Sequence, residues 1–162
     1  KMIQMMVRDF VTEQIKPLER SILGRAADLS DAMMYLPLEE EQKLIKMVQD
    51  MGLWGASMPT ELGGVGLDVV GNCAVEEELA QTIVPFSFGD VTPVLFDCNE
   101  KQREEYLSPI LDRRKYAYLA LVESENAELE RMELSAKRKN GHYSINGKKI
   151  SLSRAGKDYF AI

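Results

Sequence analysis

The hydrophobic positions of this chain change their period once. Ile3, Val7, Phe10, Val11, Leu18 and Ile22 return every three or four residues and mark the buried face of an amphipathic helix over residues 1–24. Pro17 is expected to kink it, with Gly24 as its stop. The period is already running at the first residues with no capping side chain ahead of it, so the chain is expected to begin inside an element. A second helix is predicted from about Leu38 to Met51, with Leu44, Ile45, Val48 and Met51 inward and Gly52 just past its end. An irregular stretch, Leu53 to Gly66, leads to a third helix from about Leu67 to Thr82, whose apolar face is Leu67, Val70, Ala74, Val75 and Leu79. Val84 to Phe96 is apolar but broken by Pro85, Gly89 and Pro93, and reads as one buried, irregular helix. Asn99 with Gln102 has the form of a capping box and opens a helix through Tyr106, Leu107, Ile110 and Leu111.

After Arg114 the period falls to two. Tyr116 to Val122 is apolar on both alternating faces, the pattern of a strand covered on both sides. Further strands are expected around Leu134 to Lys139 and Tyr143 to Ile145, joined by Asn140-Gly141, a pair suited to a type I′ hairpin turn. A second Asn-Gly at 146 and 147 leads into Lys149 to Ser153. Asp158 to Ile162 reads as a strand with nothing after it to pair; so apolar an edge predicts further sequence beyond it. The expected fold class is α+β: an all-α helical-bundle domain over residues 1–113, then the first strands of an antiparallel β domain over residues 114–162.

Composition narrows the chemistry. A chain of 162 residues, 45% apolar, can bury a core, and a formal net charge of −6 opposes general attraction to nucleic acid or anionic membrane. Small molecules and protein surfaces are the expected partners. Two cysteines, Cys73 and Cys98, and the single His142 have no zinc-ligand spacing and make no disulfide scaffold, so no metal site is predicted. No run reaches the length of a membrane span and the start lacks a signal-peptide pattern, which directs the reading to a reducing, intracellular compartment. Glu39 to Glu41 and Glu76 to Glu78 are consecutive triplets that spread around a helix, and both are expected to face solvent. Gly63, Gly64 and Gly66 sit where the chain must turn; no strand precedes them and the spacing is not that of a dinucleotide fingerprint.

Five stretches resemble the acyl-CoA dehydrogenase family, and together they run through essentially the whole chain. The most specific is Gly52-Leu-Trp-Gly-Ala-Ser-Met-Pro-Thr-Glu-Leu-Gly-Gly-Val-Gly-Leu-Asp68, similar to the family's G-L-x-G-x-x-x-P-E-E-Y-G-G-x-G-L. Glu77-Glu78-Leu79-Ala80, Glu100 to Leu107, Ala120-Leu-Val-Glu-Ser124 and Asn146 to Ser153 match in turn, the last two resembling A-L-T-E-P and N-G-x-K-x-W-I-T. The resemblance implies a flavoprotein that binds FAD and removes a proton and a hydride from adjacent carbons of an acyl-CoA thioester. It also implies a homotetramer in the cytoplasm or mitochondrial matrix. The family's glutamate base lies in a later domain, so no catalytic residue is assigned here, and Glu123 is expected to be structural. Leu119, Leu121, Val122, Ser151 and Ser153 fall at the positions facing the flavin. The basic run Lys137, Arg138, Lys139, Lys148, Lys149, Arg154 and Lys157 could meet coenzyme A phosphates, although charged side chains alternating on exposed strands explain it more simply.

Three positions depart from the family pattern. Val122 replaces a threonine whose hydroxyl bonds the ring system, and Glu128 stands where a small serine approaches the pyrophosphate, a repulsion of ~1 kcal/mol or more. Ser151 replaces a tryptophan, removing an apolar contact of roughly 2 kcal/mol where buried, while Ser153 keeps a hydroxyl. These changes leave a second reading open, a flavin-deficient homologous subunit that binds or scaffolds within a hetero-oligomer.

Overall fold

The structure is a computed structural model that describes residues 1–26, 36–89, 91–112, 114–123, 131–150 and 159–161. It divides into two compact units, Lys1–Asp90 and Val91–Ile162. The architecture is α+β, a helical amino-terminal region followed by the start of a β domain.

In the first unit, α1 (Met2–Phe10) runs through a π turn (Val11–Ile15) and a 3-10 turn (Lys16–Leu18) into α2 (Glu19–Ala26). Pro17 explains the two irregular turns. It has no N–H to donate, and in a regular helix its ring would strike the carbonyl four residues back. The helix widens ahead of it, so that the Lys16 N–H bonds Val11 O, five residues back. The kink expected at Pro17 therefore takes the form of a bulge, and the helix continues past Gly24 to Ala26. Val7, Phe10, Val11, Ile15 and Ile22 form its buried face.

Helix α3 (Leu38–Asp50) buries Leu44, Ile45 and Val48. Its end is a Schellman motif: Gly52 takes φ 69°, its N–H bonds Gln49 O at 2.9 Å, and the Leu53 N–H bonds Val48 O at 3.1 Å. The glycine-rich stretch that follows is a braced loop. Val65 N–H bonds Gly55 O at 3.0 Å, Gly66 N–H bonds Met58 O at 2.8 Å and Leu67 N–H bonds Ala56 O at 2.9 Å. Gly64 lies so close to this backbone that an added Cβ would sit 2.2 Å from Met58 O. The motif closest to the family pattern is thus explained by chain packing.

Asp68 caps α4 (Val69–Leu79) by accepting the Gly71 N–H at 2.7 Å. The buried residues of α4 are Val75, Glu78 and Leu79. Two expectations fail here. Val70 is 76% exposed and not on the buried face, and Glu78, read as solvated, is only 4% exposed. The region from Val84 to Gly89 is irregular and not helical, and a 3-10 turn (Pro93–Asp97) follows in the second unit. Gly55 N–H donates to Phe88 O at 2.7 Å, so this strap is held by the glycine loop. Phe88 packs edge-on against Phe10 and Phe86, with ring centroids 5.7 and 6.2 Å away.

In the second unit, α5 (Glu100–Gln102), a π turn (Arg103–Leu107) and α6 (Ser108–Leu111) form one helical run. Asn99 and Gln102 close the predicted capping box, both bonds at 3.0 Å. Pro109 again follows the π turn by two residues, and the Ser108 N–H reaches back five residues to Arg103 O. One cause, an interior proline, produces both bulges.

Four short strands follow: β1 (Tyr116–Tyr118), β2 (Ser135–Lys139), β3 (His142–Asn146) and β4 (Tyr159–Ala161). β2 and β3 pair antiparallel, from Ser135 opposite Asn146 to Lys139 opposite His142. Asn140 at φ 50° and Gly141 at φ 81° make the expected primed turn. β1 and β4 pair in parallel, Tyr116 with Tyr159 and Tyr118 with Ala161. The residues at 159–161, expected to have nothing after them to pair with, pair with the earlier β1, and in a correction to the expected strand the ladder of β1 stops at Tyr118 instead of Val122.

Candidate functional site

The segment beyond β1 carries three of the five sequence-predicted site residues. Leu119 is 44% exposed and Leu121 39% exposed, while Val122 is partly buried. This departs from the expectation of a strand covered on both faces. Ser151 and Ser153 lie outside the described residues, as does Glu128.

Among the described residues no ladder pairs with Leu119 to Glu123, and other bonds set its course. Ile150 N–H donates to Val122 O at 2.7 Å. Lys149 Nζ donates to Leu121 O at 3.1 Å and to Glu123 Oε1 at 2.7 Å, with Met132 Sδ at 3.5 Å as a third neighbour. The Glu123 carboxylate also accepts the backbone N–H of Glu133 through Oε2 and that of Leu134 through Oε1 at 3.0 Å. Both side chains are mostly covered, at 18% exposure for Lys149 and 13% for Glu123. The hydrogen bond from Lys149, helped by those from the Glu133 and Leu134 amides and opposed by burial, holds the Glu123 carboxyl below the usual glutamate range. A carboxylate stabilised as an anion with both oxygens engaged is poorly suited to take a proton from substrate. Its expected structural role agrees with this geometry.

Lys149 was read as one member of an exposed basic run, and its pairing with Glu123 was missed. The available signal was position: Glu123 directly follows an apolar stretch, where a carboxylate needs a partner. The rest of the run behaves as expected where it is described. All ten residues of β2 and β3 are exposed, and the register sets Lys137 and Lys139 opposite Ser144 and His142, with Arg138 opposite Tyr143.

The first unit holds a second polar centre. Arg8 grips Glu78 with two bonds, Nε to Oε2 at 3.0 Å and Nη2 to Oε1 at 2.6 Å, and Gln4 bonds Glu77 at 2.9 Å. A cleft of about 320 Å³ opens beside them, lined in part by Arg8, Lys16, Glu77 and Glu78. Its two cations and two carboxylates balance. Among the described residues no group of three or more His, Cys, Asp or Glu is arranged to hold a metal ion.

Comparison with known proteins follows the same division. A profile for the acyl-CoA dehydrogenase N-terminal domain matches residues 1–114. The chain is 29% identical over 174 aligned residues to (R)-benzylsuccinyl-CoA dehydrogenase of Thauera aromatica, covering 97% of this chain and 41% of that protein. A solved structure from Mycobacterium abscessus, described provisionally as an acyl-CoA dehydrogenase, superposes with a TM-score of 0.75 at 23% identity over 91% of this chain and 40% of the other. An acyl-CoA dehydrogenase of Bacillus anthracis complexed with FAD superposes with a TM-score of 0.59 at 23% identity, over 93% of this chain and 26% of the other. These two structures share the fold. The chain spans 41% of the length of the Thauera relative.

Proposed function

The chain belongs to the acyl-CoA dehydrogenase family, and from that premise we propose that it is the amino-terminal part of a flavin-dependent oxidoreductase acting on an acyl-CoA thioester. The observation that carries this reading is the profile match over residues 1–114, which includes the glycine-braced loop and helices α1 to α6. In this reading residues 1–113 are the helical domain and residues 114–162 the start of the middle β domain.

Leu119, Leu121 and Val122, with Ser151 and Ser153, form the edge that faces FAD. The described part of this edge suits an aromatic ring system: Leu119 and Leu121 offer exposed apolar surface from a backbone tied down at Leu121 O and Val122 O. FAD, when bound, supplies the acceptor for the hydride removed from the substrate. The protein's own contribution on this edge is to present apolar surface and exclude water from one side of the ring. The proton acceptor belongs to another part of the full-length protein, because Glu123 is already committed to three donors, the Glu133 and Leu134 amides and the Lys149 ammonium. Homo-oligomerisation and residence in the cytoplasm or mitochondrial matrix complete the proposal; among the described residues no helix is long and apolar enough to cross a membrane.

Val122, Glu128 and Ser151 favour a second reading, a homologous subunit that has lost flavin and serves as a scaffold. An assay separates the two. The longest natural polypeptide containing this segment should reduce an artificial electron acceptor when given acyl-CoA thioesters, and residues 1–162 alone should show none of that turnover. Absence of turnover from the long form across chain lengths, with the protein folded, would contradict the enzymatic reading.

A further inference from the structure

We propose that Lys149 and Glu123 form a positioning pair, whose task is to set the backbone of the flavin-facing segment Leu119 to Glu123. The proposal rests on the flavin reading of that segment given above. β1 ends at Tyr118, and past it the only backbone bond to this segment is from Ile150 N–H to Val122 O at 2.7 Å among the described residues. An extended segment with two half-exposed leucines and one such bond has many conformations open to it. Something else has to choose one.

The Lys149 ammonium has three hydrogens and three neighbours: Leu121 O, Glu123 Oε1 and Met132 Sδ. Glu123 in turn collects the amides of Glu133 and Leu134. The pair therefore ties together three stretches that are distant in sequence, 121–123, 132–134 and 149–150, at one partly buried point. Its geometric consequence falls on Leu121. A carbonyl fixed by the lysine on one side and a carboxylate fixed two residues later leave the intervening backbone little freedom, and with it the direction of the Leu121 and Val122 side chains. The two motifs involved, Ala120 to Ser124 and Asn146 to Ser153, are thereby joined by a side-chain bond. The pair acts through the backbone it holds and not by contact with substrate or flavin.

The test uses the longest natural polypeptide containing this segment, with Lys149→Met, Glu123→Gln and Lys149→Arg. Hydrogen exchange of the flavin-free protein is read by mass spectrometry, and FAD affinity by titration with fluorescence quenching. Lys149→Met should raise exchange at 119–123 and 132–134 by about tenfold or more without changing peptides from residues 1–90. It should weaken FAD by about tenfold and shift the visible flavin band, while Lys149→Arg restores most of both. Glu123→Gln keeps the shape of the side chain and should fall between, which secures the test if the methionine variant does not fold. Unchanged exchange at 119–123 overturns the pair as the restraint on that segment, whether or not flavin binds. Raised exchange with unchanged flavin affinity and spectrum overturns the positioning role. A parent polypeptide that binds no FAD overturns the flavin reading itself, and the role proposed here falls with it.

Discussion

Glu78 and Glu123 are both covered carboxylates bound to a cation, yet they sit in units held together in different ways. Around Glu78, Val7, Phe10, Val11, Val75 and Leu79 belong to one apolar cluster that continues to Leu44, Val48 and Phe88, and the Arg8 pair lies at its margin. Removing the pair would leave that cluster in place. Around Glu123 no comparable cluster is seen among the described residues: Leu119 and Leu121 are about 40% exposed and both strands of the β2–β3 hairpin are open to solvent. There the ion pair and turn chemistry set the chain's course. The same residue type is an accessory in a packed unit and an organiser in a sparsely packed one.

The contrast is broken most forcefully by truncating side chains in each unit. Phe88→Ala removes a ring that is 1% exposed and contacts two others, and it should cost about 3–5 kcal/mol in denaturant unfolding. Tyr143→Ala on the open hairpin should cost about 1 kcal/mol or less. Equal losses would show that the hairpin is packed after all. Next in size come two glycines with nearly the same φ, Gly89 at 84° and Gly141 at 81°. An added Cβ at Gly89 would lie 2.7 Å from the Trp54 ring, whereas at Gly141 it meets nothing within 4 Å. Gly89→Ala should lose about 3 kcal/mol and Gly141→Ala about 1 kcal/mol, the second being backbone strain alone.

The smallest effect is on pH dependence. Glu78 is held below the ordinary range first by the hydrogen bond from Arg8, against its burial, and Glu123 by the hydrogen bond from Lys149. A depressed folded pKa means the stabilising contribution is complete above the unfolded value and is lost as pH falls through the folded one. Melting temperature should therefore decline below about pH 4.5. Glu78→Gln and Glu123→Gln should each flatten that decline while lowering stability at neutral pH. The Glu123 change should also loosen residues 132–134 in hydrogen exchange, and the Glu78 change should leave the apolar cluster protected.

Local chemistry was readable from the sequence. Gly52 after α3, the Asn99 and Gln102 capping box and the Asn140-Gly141 turn all depend on a few adjacent residues, and each forms as expected. What depends on distant partners was not. Three consecutive glutamates look solvated until Arg8, seventy positions away, arrives beside the middle of the buried stripe formed by Val75, Glu78 and Leu79. Val70 fits a helical stripe, but the first turn of α4 leaves it exposed. The parallel partnership of β1 with β4 joins residues 116 and 159, a pairing no periodicity announces. Of the proposed site, Leu119, Leu121 and Val122 are named by family resemblance alone, and the Lys149–Glu123 bond beside them is visible only in the structure.

The central claim, that this chain forms the flavin-facing part of an acyl-CoA dehydrogenase, is tested most directly by the colour of the longest natural polypeptide and its response to substrate. The account predicts a yellow protein with bound FAD whose visible absorbance bleaches when an acyl-CoA thioester is added without oxygen. A folded but colourless polypeptide, which gains about tenfold or more in FAD affinity on the double change Glu128→Ser with Ser151→Trp, would contradict it and establish the scaffold reading.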